Sequence, residues 1–291
     1  MHSMLPRVAA VHDLSCVGRC SLTVIIPVLS ALGIQVCPLP TAILSTHLGG
    51  FRQVAFCDFT DRMADFYRHW QEENITFDCI YTGFLASAQQ IDVVSAFIDN
   101  FAFAKPLIVV DPVMGDEGKL YSVYTPEMQE HMKKLICKAD VITPNYTEAC
   151  FLLGEAYEPD KVVPAVLKEW LIRLTGMGPS KAVITGIPGQ DRKIMNLAYD
   201  ADNKHYSEVS DQHIPVRYPG TGDIFAALLA GALLQGKTLE EATRQAAGFV
   251  SHCVALTCQA GSPTREGVLL EMALPALWNN NQEVSTYEGK S

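Results

Sequence analysis

No stretch of this sequence is apolar for long enough to cross a bilayer. The longest such run, Ile224 to Leu234, is about half of the roughly 20 residues that a spanning helix needs. The opening Met1-His2-Ser3-Met4-Leu5-Pro6 has no charged segment leading into an apolar one, so no secretory leader is recognisable and a soluble cytoplasmic protein is expected. Basic residues are scarce as well. Lys and Arg number 22 against 32 Asp and Glu, a formal net charge of -10, which argues against the concentrated cationic surface that nucleic acid requires. A single nucleotide is not excluded, because backbone N–H groups and a metal ion can hold its phosphates.

Several catalytic signatures are missing too. There is no Gly-x-x-x-x-Gly-Lys-Ser/Thr loop, so any phosphate site is not of the P-loop kind. No Gly-x-Ser-x-Gly elbow occurs, which removes the support for a serine hydrolase. After the first expected strand, Asp13-Leu14-Ser15-Cys16-Val17-Gly18 does not supply the Gly-x-Gly-x-x-Gly of a Rossmann dehydrogenase. Nine cysteines are present, but Cys16 and Cys20 form a C-x3-C pair with no second Cys or His pair at a zinc-like spacing. Most of the others sit in apolar segments, where reduced, structural thiols are expected.

What is there begins with apolar material: hydrophobic residues make up 48% and charged residues 19%, enough for a large core. Short β-branched runs at Arg7–His12, Gln35–Leu39, Cys79–Thr82, Leu107–Val110, Val141–Ile142 and Ala182–Thr185 alternate with helical patterns. The latter lie near Ser21–Leu32, Asp58–Glu73, Ala88–Phe101, Pro126–Cys137, Tyr146–Leu153 and Val162–Thr175. Such alternation predicts an α/β fold with a mostly parallel sheet and helices on both faces. Lys193–Tyr199 and Lys204–Val209 flank a polar turn and read as a β-hairpin, and two helices are expected to close the domain. With no internal repeat and no Pro/Gly/Ser-rich linker, one domain over residues 1–278 is expected, followed by a polar, disordered tail over 279–291.

Three motifs carry chemistry. In Tyr218-Pro219-Gly220-Thr221-Gly222-Asp223 two glycines permit a tight turn just before an apolar helix, whose first N–H groups and dipole make an anion site. Asp223 would repel a bound phosphate, yet it fits a base taking a substrate proton while the N–H groups stabilise the transferring phosphoryl. An Asp that simply caps a helix reads equally well from this motif alone. In Thr143-Pro144-Asn145-Tyr146-Thr147-Glu148, Asn145 and Glu148 have capping-box spacing, and Gly154 supplies a stop; the same polar groups at a strand end could hold hydrated magnesium. In Asp111-Pro112-Val113-Met114-Gly115-Asp116-Glu117-Gly118, a buried strand ends on one acid and a loop carries two more, which suits a metal–phosphate site or ordinary turn chemistry. Asp13, the Thr41, Ser45 and His47 group, and Gly83-Phe84 follow the first three strands and would share one sheet edge.

Taken together and in this order, the motifs resemble the ribokinase superfamily and, within it, the pyridoxal kinases, over nearly the whole chain. Gly220-Thr221-Gly222-Asp223 is similar to the family's anion hole with its catalytic Asp. Asp111-Pro112-Val113-Met114-Gly115, followed by Thr143-Pro144-Asn145 and Glu148, resembles the vitamin kinase branch rather than the sugar kinases. The resemblance implies a ribokinase-like fold, ATP and Mg2+ as cofactors, and a B6 vitamer as substrate. It gives Asp223 the role of base and Gly220, Thr221 and Gly222 that of the anion hole. Asp111, Asn145 and Glu148 would organise magnesium and the ATP phosphates, with Asp111 and Glu148 nearest the metal, and Thr185-Gly186 would contact ATP. Family members often need potassium also, and pyridoxal kinases are commonly homodimers.

On the vitamer side, Ser45-Thr46-His47 is similar to the family's Ser-Asn-His with one change, and Phe84 stands where a Tyr is common. Asp13 replaces a usual Ser near the pyridine ring, where it is expected to pair with a protonated ring nitrogen or a polar ring substituent. The His47-Leu48-Gly49-Gly50 loop is expected to hinge over the substrate. The neighbouring expectation is hydroxymethylpyrimidine kinase, many of which resemble a Gly-Thr-Gly-Cys version of the turn; Asp223 favours the vitamer. A non-catalytic nucleotide-binding regulator of the same fold is the alternative of another class, and the presence of Asp223 speaks against it.

Overall fold

Alternating apolar runs become a nine-stranded sheet in a computed structural model that describes residues 4–161, 163–189 and 191–281. In chain order its first half contains β1 (Arg7–Ser15), α1 (Leu22–Ala31), β2 (Gln35–Leu44), β3 (Phe56–Asp58), α2 (Thr60–Glu72), β4 (Cys79–Thr82), α3 (Ala88–Phe101) and β5 (Leu107–Val110). The middle holds a small hairpin of β6 (Gly115–Asp116) and β7 (Lys119–Leu120), then α4 (Pro126–Ile136), β8 (Val141–Ile142), α5 (Tyr146–Leu153) and α6 (Pro164–Thr175). The last part comprises β9 (Lys181–Pro188), β10 (Lys193–Asp200), β11 (His205–Gln212), α7 (Thr221–Leu234), α8 (Leu239–Ala260) and α9 (Leu270–Asn281). Val162, at the start of one expected helix, and residues 282–291 of the expected tail lie outside the described residues.

The sheet order is β11-β10-β9-β8-β5-β4-β1-β2-β3. Strands β9, β8, β5, β4, β1 and β2 run parallel, as expected, while the β10–β11 hairpin and β3 add antiparallel edges. One face packs under α1, α7, α8 and α9, and the other under α2 to α6, so a core lies on each side. From β1 the chain moves outward to β2 and then crosses to β4 on the other flank of β1. That reversal makes the carboxyl ends of β1 and β4 a switch point, where open α/β sheets hold ligands.

Several elements differ from the sequence expectation, among them the added edge strand β3 and longer β1, β9 and β11, and three differences have a clear tertiary cause. Strand β2 runs on through Pro38 and Pro40 to Leu44, past the expected stop at Leu39. Proline removes a ladder donor, but β3 pairs only with Ala42 to Leu44, so the outer edge of β2 is open at both prolines. Second, α9 adds a third closing helix, despite Pro275 in its interior. It forms because Leu270, Ala273 and Leu277 are buried in the core under α1 and α8. Third, the β6–β7 hairpin occupies what reads as a plain loop, with Asn145 Nδ2 donating to the Gly115 carbonyl at 2.9 Å and Gly118 N–H donating to Thr147 Oγ1 at 3.0 Å.

Helix α7 is nearly all apolar, with every residue from Ile224 to Ala232 buried. It is therefore the central helix of its layer, and its N-terminus is aimed by packing rather than by a cap. The turn before it is fixed at Gly220, whose φ of 82° lies in the left-handed region. A Cβ there would stand 2.2 Å from the Arg19 carbonyl oxygen, so the turn and the segment before α1 are in direct backbone contact. Gly220→Ala is expected to cost about 2 kcal/mol or more in folding stability, from strain and overpacking together. A urea midpoint equal to that of the parent chain would show that the Arg19 backbone can move aside freely.

Candidate active site

Strand alternation places one polar residue on the α7 face at or near the carboxyl end of three neighbouring strands, β5, β8 and β9. Val109, Val141 and Val183 pack beneath α7, and two residues further on stand Asp111, Thr143 and Thr185. Opposite them is the start of α7, which no side chain caps. Its first N–H groups are thus free for an anion, and Thr221 Oγ1 donates instead to the Tyr218 carbonyl at 3.2 Å. Between the two lies a cavity of about 640 Å³, lined among others by Asp111, Asn145, Glu148, Thr185, Gly186 and Gly220 to Asp223. All nine residues expected at the nucleotide and phosphoryl side are therefore brought together.

The capping box is real and its members also line the cavity. Asn145 Oδ1 accepts from Glu148 N–H at 2.8 Å, and Glu148 Oε2 accepts from Asn145 N–H at 2.8 Å. Glu148 Oε1 accepts from Met114 N–H at 3.0 Å, so both oxygens of this buried carboxylate are already held by backbone. Burial pushes the Glu148 carboxyl well above its ordinary value, and the charge of Asp111 pushes the same way. Asp111 is likewise raised, first by burial and then by Asp223, against a hydrogen bond from Thr143 Oγ1 at 3.1 Å. Asp116 and Glu117, the other acids of that loop, do not join this group. They pair instead with Arg217, at 2.6 and 3.1 Å.

Asp223 lies in the first turn of α7, half-buried. Burial pushes its carboxyl up to about 7; an N–H donated by Ser21 to Oδ2 at 2.8 Å opposes the rise, and the charge of Asp13 adds to it. The Tyr81 hydroxyl donates to the Asp223 carbonyl at 3.3 Å. Among the described residues no Lys or Arg bonds to Asp13, Asp111, Glu148 or Asp223. The same residues offer no cluster of three His, Cys, Asp or Glu that would hold a metal alone. Arg192, Lys193 and Arg217 line the same cavity without bonding to these four acids, and carboxylates left unpaired in this way fit a divalent ion shared with a nucleotide's phosphates, since magnesium takes one or two carboxylates and its remaining ligands from elsewhere.

The four expected vitamer-side residues are not among those lining this cavity. Asp13 is buried at the end of β1, beside a register shift between His12 and Leu14 against β2. Its oxygens accept from Ser21 Oγ at 2.7 Å and Ser15 Oγ at 2.9 Å. Burial raises its carboxyl too, against both hydroxyls. Ser45 is exposed and closes the base of the 46–54 loop: its N–H donates to the Ala55 carbonyl at 2.9 Å, and its Oγ accepts from Ala55 N–H at 3.0 Å. His47 is buried; its Nδ1 accepts from Gly49 N–H at 3.1 Å, which leaves Nε2–H to donate to the Arg265 carbonyl at 2.7 Å. Arg265 also lies over the Phe51 ring at 5.2 Å, so the expected hinge loop is tied to the segment before α9. Phe84 is half-buried just after β4.

Sequence reasoning missed Ser21, Ser15, Tyr81 and His12. Before α1, Ser21 looks like an ordinary N-cap, and no local pattern shows that its side chain caps nothing. His12 is fully buried edge-on to Tyr81 at 4.4 Å, has no hydrogen-bond partner on either nitrogen, and is pushed down to about 3 by burial, so it is neutral.

The chain is similar to several known proteins. A pyridoxal kinase structure from Lactobacillus plantarum superposes with a TM-score of 0.87 at 32% identity, covering 97% of this chain and 99% of that one. A Bacteroides thetaiotaomicron protein, assigned to the phosphomethylpyrimidine kinases and solved with pyridoxal, gives a TM-score of 0.90 at 44% identity over 94% and 96% of the chains. The pyridoxine/pyridoxal/pyridoxamine kinase of Bordetella avium is 29% identical over 273 residues, 89% of this chain and 88% of its own. The profile of the phosphomethylpyrimidine kinase family matches residues 29–266. The chain is a kinase that belongs to this family, on the pyridoxal kinase side of the ribokinase-like superfamily.

Proposed function

We propose that the protein transfers the γ-phosphoryl group of ATP to the 5′-hydroxymethyl group of a B6 vitamer, with Asp223 as general base. One observation carries this reading. A carboxyl pushed up to about 7 stands at the head of an uncapped helix, on the wall of the cavity that gathers the nucleotide-side residues. A base of that strength takes a proton from an alcohol as it attacks, and the N–H groups of Gly220, Thr221 and Gly222 stabilise the negative charge of the phosphoryl in flight.

The other roles follow from position. Asp111, Asn145, Glu148, Thr185 and Gly186 face the nucleotide. Asp111, whose carboxyl accepts only from the Thr143 hydroxyl among the described residues, and Glu148, which also fixes Asn145, would hold magnesium. Magnesium, when bound, would supply the charge neutralisation that transfer of a phosphoryl group needs. Asp13, Ser45, His47 and Phe84, at the ends of β1, β2 and β4 and outside that cavity's lining, would contact the vitamer. Hydroxymethylpyrimidine stays the second substrate reading, because a hydroxymethylpyrimidine/phosphomethylpyrimidine kinase of Bacillus subtilis is 29% identical over 194 residues. The presence of Asp223 where many pyrimidine kinases have Cys supports the vitamer first.

The test is ATP consumption with pyridoxal, pyridoxine, pyridoxamine and hydroxymethylpyrimidine in parallel. A vitamer is expected to have the highest kcat/KM, and a preference for the pyrimidine would reverse the substrate reading. Asp223→Asn is expected to lower kcat at least about 100-fold, the usual reach of a lost general base. Because the base must be ionised, kcat/KM of the parent enzyme should fall as pH drops through about 7. Stability should run the other way. A carboxyl raised from 3.8 to about 7 binds its proton more tightly folded than unfolded. Its contribution is thus present below the unfolded value and lost as pH rises through about 7. Asp223→Asn should therefore unfold at higher urea than the parent at pH 8, and an unchanged midpoint would show that burial does not raise this carboxyl.

A further inference from the structure

Ser21 occupies a backbone conformation that serine adopts at a cost. At φ 51° and ψ -135° it lies in territory that glycine enters freely and other residues rarely hold without support. It stands at the N-cap of α1, where a serine hydroxyl normally accepts an N–H from the first helical turn. Here the side chain makes no such bond. The hydroxyl donates to Asp13 Oδ1 at 2.7 Å, and the N–H of the same residue donates to Asp223 Oδ2 at 2.8 Å. Ser21 is buried, 6% exposed, as is Asp13 at 5%.

One residue thus bonds two carboxylates that repel each other, through its N–H and its hydroxyl, two groups only three bonds apart whose directions are set by φ and χ1. Asp13 is held on its other oxygen by Ser15, and the Gly220 turn presses on Arg19, two residues before Ser21. The surroundings therefore lock the strained conformation from both sides. We propose that Ser21 is the positioning residue that fixes the base Asp223 relative to the vitamer-side carboxylate Asp13, its hydroxyl serving substrate binding and its rigid N–H serving catalysis. The inference rests on the reading of Asp223 as the base.

The two halves of the role separate in two substitutions. Ser21→Ala deletes the hydroxyl and leaves a backbone as restricted as before. Ser21→Gly deletes the hydroxyl and frees the backbone. In Ser21→Ala the KM for the vitamer is expected to rise roughly tenfold, the scale of a lost hydrogen bond to a charged group, with the KM for ATP unmoved and a smaller effect on kcat. Ser21→Gly should show the same rise in KM and, in addition, a fall in kcat of roughly tenfold, because an N–H that is no longer held fixed orients the base less often. Its Tm should be no lower than that of Ser21→Ala, since strain is relieved. A merely structural serine predicts the opposite order, with Gly restoring the kinetic parameters that Ala impairs, and that order would overturn the proposal. So would an unmoved vitamer KM in both variants. Asp223→Asn, assayed alongside, keeps the two readings apart: an active Asp223→Asn removes the base itself. An inactive one beside Ser21 variants that match the parent removes only the role of Ser21.

Discussion

The site depends on an uncapped helix end that faces a carboxylate of its own. The start of α7 offers N–H groups and a positive dipole end, which alone would favour any anion, phosphate included. Asp223 in the first turn takes part of that field, and its neighbours Asp13 and Asp111 add negative charge on two sides. A phosphate arriving alone would meet net repulsion. A phosphoryl group accompanied by a cation, with an alcohol on the far side ready to lose its proton, meets a site in which every charge has a use. The geometry thus selects a transfer reaction over simple anion storage, and it does so with a turn whose backbone is pinned against Arg19.

The same logic explains why the fold accumulates acids without bases. Asp13, Asp111, Glu148 and Asp223 are all raised by burial, and none is paired with Lys or Arg among the described residues. Leaving carboxyls in this state lowers the stability of the resting protein near neutral pH. A lysine among them would relieve that cost and would also quench the base and compete with a metal. The backbone does the holding instead. Glu148 is fixed by the N–H groups of Met114 and Asn145, and Asp223 by that of Ser21, donors that neutralise little and orient well.

The parallel strands and the helices over them were legible in the sequence, because buried β-branched runs such as Leu107-Ile108-Val109-Val110 have few other uses. So was the gathering of Asp111, Asn145 and Thr185 around one cavity. Asp111, Asn145 and Thr185 each follow such a run, and a polar residue at the end of a buried parallel strand has a position before it has a structure. What stayed hidden depends on long-range geometry. The extension of β2 through two prolines depends on where β3 ends, which no window around Pro38 contains. Likewise α9 forms through an internal proline because Leu277 finds a buried place beneath α1 and α8. Ser21 was hidden for a sharper reason: its local pattern spells a helix cap, and only the tertiary partners 8 and 202 residues away convert it into something else.

The vitamer half is less regular than the nucleotide half for a reason that lies in the topology. On the proposed nucleotide side, Asp111 and Thr185 keep the alternation of β5 and β9, which aims their side chains, while the capping box of α5 aims Asn145 and Glu148. The vitamer residues sit beyond the switch point, where β1 and β2 lose register between His12 and Leu14. The shift puts the extra residue in β2, between Pro40 and Ile43, while β1 keeps its alternation and Leu14 still packs on the α7 face. Asp13 is buried beside this irregularity and takes its hydrogen bonds from the hydroxyls of Ser15 and Ser21. His12, just before the break, stays on the α7 face as a neutral ring against Tyr81, whose hydroxyl reaches the Asp223 carbonyl. The end of β1 therefore connects to Asp223 by two routes, through Asp13 and Ser21 to its carboxylate and through His12 and Tyr81 to its backbone carbonyl. On the roles proposed for Asp13 and Asp223, substrate recognition and proton transfer are built on the same short segment of chain.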